Sequence, residues 1–138
     1  MKKLMVAVDG SAHAERALEK AISMCASHND ACIDLVYAVD GDQSKSDILH
    51  FGDSDTARYK RERMLEKNAE KARQEGIHVS IEILHGSPAE TLISFANSRE
   101  YDLVLVGSRG RNKLQTMLLG SVSHKLVKYI DAPVMVVK

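Results

Sequence analysis

Leu4-Met5-Val6-Ala7-Val8 is apolar at every position and breaks at Asp9-Gly10-Ser11. A strand wet on one face alternates apolar and polar residues, so this unbroken run marks a strand buried on both faces and closed by a polar turn. Covering both faces requires helices, and the next segment supplies one. Ala14, Ala17, Leu18, Ala21, Ile22 and Cys25 recur at helical spacing, with Ser11 placed to cap them. A buried strand followed at once by an amphipathic helix is the unit of a parallel sheet.

The unit then repeats. Ile33 to Val39 reads as a second buried strand, followed by a polar surface excursion over Asp40 to Asp55 and a charged helix over Thr56 to Glu75, where Leu65, Ala69 and Ala72 form a narrow stripe. Val79, Ile81 and Ile83 alternate with Ser80 and Glu82, which predicts a third strand near a sheet edge. Ser87-Pro88-Ala89-Glu90 has the pattern of a capping box before a helix carrying Ala89, Leu92, Ile93 and Ala96. Leu103-Val104-Leu105-Val106 is a fourth buried strand. Leu119, Val122, Leu126 and Ile130 mark a last helix, closed by Asp131-Ala132-Pro133, and Val134 to Val137 is the fifth strand. Alternating strands and helices joined mostly by short loops give an α/β fold with a parallel sheet covered on both faces. At 138 residues, with 44% hydrophobic and 28% charged, residues 1–138 make one domain with one packed unit.

Charge narrows the function. Lys plus Arg and Asp plus Glu both total 19, so no positive excess draws in nucleic acid or anionic lipid, and a general nucleic-acid partner is excluded. No apolar run reaches membrane-spanning length, and Asp9 interrupts the N-terminus before a signal-peptide core forms, which makes the cytoplasm the expected compartment. Cys25 and Cys32 form no CxxC and read as reduced structural thiols. The histidines show no HExxH or paired Cys/His spacing, so no dedicated metal site is expected.

In open parallel sheets, ligands bind beyond the carboxyl ends of the strands where the winding reverses, which points to the loops after the first and fourth strands. The second of these runs from Gly107 through Ser108, Arg109, Gly110, Arg111 and Lys113 to Gly120 and Ser121, with Thr116 and Ser123 adding hydroxyls. Glycine lets a backbone approach a phosphate closely, and N–H groups at a helix start donate to its oxygens. Gly120-Ser121-Val122-Ser123 opens the last helix and reads as a phosphate cradle. No GxxxxGK[ST] loop or G-x-S-x-G elbow is present, so nothing dedicated to phosphoryl or acyl transfer is visible.

The spacing Gly107-x2-Gly110-x9-Gly120-Ser121 resembles the nucleotide-binding signature of the universal stress protein family. Val6-Ala7-Val8-Asp9-Gly10-Ser11, Tyr37-Ala38-Val39-Asp40, Gly86-Ser87-Pro88 and the closing Ala132 to Val137 extend that resemblance over nearly the whole chain. It implies an ATP-binding member acting as a nucleotide-dependent sensor or regulator in the stress response, with a five-stranded sheet ordered 3-2-1-4-5 like that of the adenine nucleotide α-hydrolases. By position it implies Ala7, Val8 and Asp9 on the ribose and adenine side, with Ala38 lining the adenine pocket. Val106, Gly107, Arg109 and Gly110 fall beside the sugar and phosphates, and Gly120, Ser121, Val122 and Ser123 hold the phosphates. Ala7 stands where nucleotide-binding relatives often carry proline, and Arg109 where several carry histidine. The resemblance leaves open ATP, ADP or AMP as the retained nucleotide, with any Mg²⁺ arriving on the phosphates. It also implies frequent homodimers and a regulatory protein partner that the sequence does not identify.

Two other readings compete with this one. A slow ATP-hydrolysing or nucleotide-transferring enzyme needs only a cradle and a positioned water, although no polarising residue is visible. A phospho-accepting signalling domain needs an aspartate at the end of the third strand, and Ile83-Leu84-His85-Gly86 has none. The fifth strand, apolar from Val134 to Val137, lacks the charges that protect an edge and is the expected dimer surface, whereas Ser80 and Glu82 blunt the opposite edge.

Overall fold

The computed structural model describes residues 2–39, 54–109 and 119–138. The polar excursion after Val39, apart from its last residues, lies outside the described residues, as do Gly110, Arg111, Lys113 and Thr116. The chain order is β1 (Lys3–Ala7), α1 (Ala12–Cys25), β2 (Cys32–Val39), α2 (Ser54–Arg73), β3 (His78–His85), α3 (Pro88–Asn97), β4 (Leu103–Gly107), α4 (Ser121–Tyr129) and β5 (Val134–Val137). All five strands form one parallel sheet in the order β3-β2-β1-β4-β5.

That order follows from where the apolar residues fall. β1 is paired on both sides, to β2 with Val6 opposite Leu35 and to β4 with Val6 opposite Leu105. Its side chains are buried from Leu4 onward because helices cover both faces. On one face Ala17 and Leu18 of α1 and Leu65, Ala69 and Ala72 of α2 pack on Leu4, Val6, Leu35 and Leu105. On the other, Leu92, Phe95 and Ala96 of α3 and Leu126 of α4 pack on Met5, Val36, Val104 and Val106. The strands run outward from β1 through β2 to β3 with two helices on one face, then return through β4 to β5 with two on the other. That is the arrangement right-handed crossovers give on reversing direction. Each fully buried Leu contributes about 1.5 to 3 kcal/mol.

Helix starts are set locally. The Ser11 hydroxyl accepts the Ala14 N–H at 3.1 Å and fixes the first turn of α1. The capping box expected at Ser87 does not form. Ser87 is the N-cap but makes no side-chain cap bond, and instead the Thr91 hydroxyl donates to the Ser87 carbonyl at 2.9 Å. Pro88 has no N–H to cap, so the first turn loses less by this. α2 spans two residues earlier at each end than its stripe predicts, ending at Arg73 before a turn in which the Gly76 N–H reaches the Arg73 carbonyl at 2.9 Å.

Asp34 is an acidic residue inside the otherwise apolar β2, half-buried beneath Tyr101. The Tyr101 hydroxyl donates to Asp34 Oδ2 at 2.6 Å, which satisfies the carboxylate. Burial, then the Asp34 carboxylate, pushes the Tyr101 phenol above its ordinary range. Cys25 is buried and Cys32 half-buried, both are free thiols, and burial raises both above the ordinary thiol range.

Candidate functional site between the loops after β1 and β4

The winding reverses between β1 and β4, and the turns after these strands meet over the start of α1. Asp9 leaves β1 half-buried, and its Oδ1 accepts the Ser11 N–H at 2.9 Å, closing the turn that aims α1 back over the sheet. Val8 donates its N–H to the Val36 carbonyl at 3.0 Å. Its side chain joins the core under α1 and α2, whereas Ala7, Ala38 and Val106 line the opposite face, packed with α3 and α4. Ala38, implied to line the adenine pocket, thus shares one face with Ala7 and with Val106, implied to lie beside the sugar and phosphates, and any contribution of Val8 on that face is through its backbone.

Gly107 ends β4 against the first turn of α1. A Cβ there would lie 2.8 Å from the carbonyl carbon and Cβ of His13 and 2.9 Å from the Ala14 nitrogen, so this glycine is required by the close approach of strand and helix. The next residue, Ser108, is buried and fully engaged. Its N–H donates to the Val137 carbonyl at 2.8 Å, and its carbonyl accepts the Gly120 N–H at 2.8 Å. Its hydroxyl is hydrogen-bonded to His13 Nδ1 at 3.0 Å.

α4 begins beside it. Gly120 is its N-cap, with φ −62° and ψ 156°. These angles are open to any residue, so the glycine is not demanded by backbone conformation. The N–H groups of Ser121, Val122 and Ser123 have no acceptor within the helix, as in any first turn. No acidic residue stands in that turn, unlike the first turns of α1, α2 and α3, which carry Glu15, Asp55 and Glu90. The positive end of the helix dipole is therefore not locally neutralised. Ser121 is exposed, Val122 is half-buried against the α3 side, and Ser123 is buried. The Ser123 hydroxyl donates to the Gly107 carbonyl at 2.6 Å, so its proton ties α4 to β4 and is already engaged. Arg109 is half-buried at the start of the loop, and Gly110 lies outside the described residues.

An open groove of about 670 Å³ lies at the other end of the sheet among Lys3, Cys32, Asp34, Arg73, His78 and Glu82. Its mixed charges offer no concentrated positive field for phosphate, and the topological rule outweighs its size. Among the described residues, no group of three or more His, Cys, Asp or Glu side chains is arranged to hold a metal, and no helix is long and apolar enough to cross a membrane.

His13 is the residue that the sequence reading missed. Its partner Ser108 is 95 positions away, and the only sequence signal was the glycine at 107 that lets α1 come so close.

This five-stranded parallel sheet, ordered β3-β2-β1-β4-β5, has the adenine nucleotide α-hydrolase-like fold. The profile of the universal stress protein family matches residues 1–138, and the chain belongs to that family. It is 33% identical to the universal stress protein YxiE of Bacillus subtilis over 99% of this chain and 98% of that protein. It is also similar to the solved structure of protein MJ0577, with a TM-score of 0.83 and 27% identity, covering 99% of this chain and 95% of that one. Two structures below 25% identity share the fold and were solved with nucleotides. One is a universal stress protein in complex with cAMP, with a TM-score of 0.70, 22% identity and coverage of 99% and 95%. The other is the Archaeoglobus fulgidus protein in complex with dAMP, with a TM-score of 0.73, 20% identity and coverage of 100% and 98%.

Proposed function

We propose that this protein binds ATP, with its Mg²⁺ carried on the phosphates, and acts as a nucleotide-dependent regulator in the cytoplasm. The observation that carries this reading is the union, at the switch point, of an uncompensated helix start at Gly120 to Ser123 with the small-residue face of Ala7, Ala38 and Val106. Anionic phosphate suits the first, and a flat apolar base suits the second. In this reading Asp9 faces the ribose. Val106, Gly107, Arg109 and Gly110 flank the sugar and phosphates, and Ser121, Val122 and Ser123 donate backbone N–H groups. ADP and AMP fit the same base with fewer phosphate contacts. The cAMP and dAMP held by two structural neighbours support an adenine ligand.

A homodimer through β5 belongs to the same proposal. Val134, Met135, Val136 and Val137 are all half-buried in the single chain, and β5 is a sheet edge. Two copies related by a two-fold axis pair antiparallel and close both rows of backbone groups. The output runs through a regulatory protein partner. Slow hydrolysis of ATP is the second reading, and it is favoured only if product forms well above the level of a cradle variant.

Thermal unfolding with Mg-ATP tests the proposal. Ligand at about 100 times its Kd stabilises the folded chain by roughly 2.7 kcal/mol. Gly120→Val puts a β-branched side chain at the helix start with backbone angles open to any residue, so loss of the shift in a variant whose circular dichroism spectrum is unchanged reports the phosphate site. Absence of a shift in the wild type refutes ATP binding, and a normal shift in Gly120→Val refutes the cradle.

A further inference from the structure

We infer that Ser108, held by His13, is the positioning residue of the phosphate cradle. The inference rests on the proposed nucleotide reading but makes a separate claim about how the cradle is built. Three polar groups of Ser108 are engaged at once, by Val137 of β5, Gly120 at the start of α4 and His13 in the first turn of α1. The carbonyl that receives the Gly120 N–H fixes where α4 begins, and that start sets the direction of the three N–H groups behind it. A residue held only by its own N–H and carbonyl, which belong to two adjacent peptide planes, can still rock about the line joining those two bonds. The hydroxyl bond to His13 removes that freedom, because His13 is itself pinned within a capped helix against Gly107. The Ser123 hydroxyl, bonded to the Gly107 carbonyl, holds the other side of the same junction. Removing the His13–Ser108 bond therefore leaves the fold intact and loosens the aim of the cradle.

Two measurements test this. In the ligand-free protein, Ser108→Ala and His13→Ala should each speed hydrogen exchange at the Gly120 amide, while His13→Asn, whose side-chain amide reaches the same position as Nδ1, restores protection. In calorimetry each alanine variant should raise the Kd of ATP roughly three- to tenfold, the range of one net hydrogen bond. Adenosine affinity should stay unchanged, because adenosine makes no use of the cradle. The double variant should lose no more than either single one, since both remove the same bond. Unchanged Gly120 exchange overturns the positioning role, as do equal losses for adenosine and ATP or losses that add in the double variant. Faster Gly120 exchange in a wild-type background that binds no ATP overturns only the nucleotide reading.

Discussion

Gly107→Ala puts a methyl group where the structure has no room. The new Cβ would sit 2.8 Å from two His13 carbons, which is 0.6 Å inside the nearest ordinary contact of 3.4 Å. Both neighbours belong to the first turn of α1, which the Ser11 cap and the underlying core hold in place, so no flexible side-chain tip can swing aside. Overpacking of this kind costs about 1 to 3 kcal/mol, which for a chain of this size lowers Tm by roughly 3 to 15 °C. Gly76 provides the contrast: it has φ +77° and a Cβ there meets no atom within 4 Å. Its replacement by alanine costs about 1 to 2 kcal/mol through backbone conformation alone. Asparagine, which tolerates the left-handed region, should recover much of that loss at 76 and none at 107. Differential scanning calorimetry of the four variants decides the matter. A Gly107→Ala protein that melts at the wild-type temperature would refute the close approach of β4 to α1.

Three further outcomes are expected. Tyr101→Phe deprives the half-buried Asp34 of its partner and should cost about 1.5 to 3 kcal/mol in urea unfolding; because the folded phenol titrates above its ordinary value of 10.0, wild-type stability should fall as pH rises past that value and the variant's should fall less. Asp102 accepts the N–H groups of Lys2 and Lys3 at 2.9 Å, and these bonds hold its carboxyl below the ordinary 3.8. Its contribution is therefore present above that value and lost as pH falls through the lower folded one, so the stability gap between wild type and Asp102→Asn should close in acid unfolding curves. Val136→Lys should convert a dimer to a monomer in analytical ultracentrifugation at micromolar concentration, and equal dimerisation of both proteins would reject the β5 edge.

The strands were legible because burial on both faces writes an unbroken apolar run, as in Leu4 to Val8, and the edge position of β3 was legible in the alternation of Val79, Ile81 and Ile83 with polar residues. Helix ends were less so. Ser87 and Glu90 carry the letters of a capping box, yet no cap bond forms at Ser87 and the Thr91 hydroxyl donates to the Ser87 carbonyl, because the pattern records residue types and not the rotamers the turn selects. The loops after β1 and β4 were readable as a candidate site from the strand order and the glycine spacing, and the structure gives those glycines local roles of their own, Gly107 in the close approach to α1 and Gly120 as the N-cap of α4. The contacts that build the site were not readable. His13 meets Ser108, and Tyr101 meets Asp34, only after helices and strands far apart in sequence are laid together. Of that second pair the sequence shows only an aspartate inside an apolar strand.

Isothermal titration of Mg-ATP into the freshly denatured, nucleotide-stripped and refolded protein, beside Gly120→Val handled identically, bears most directly on the central claim that the loops after β1 and β4 form an ATP site. Saturable binding at one site per chain is expected in the wild type, and its loss in the variant with the same circular dichroism spectrum. Wild-type protein that refolds to its native spectrum yet gives no heat of binding with ATP, or a variant that binds it with wild-type affinity, would contradict the account.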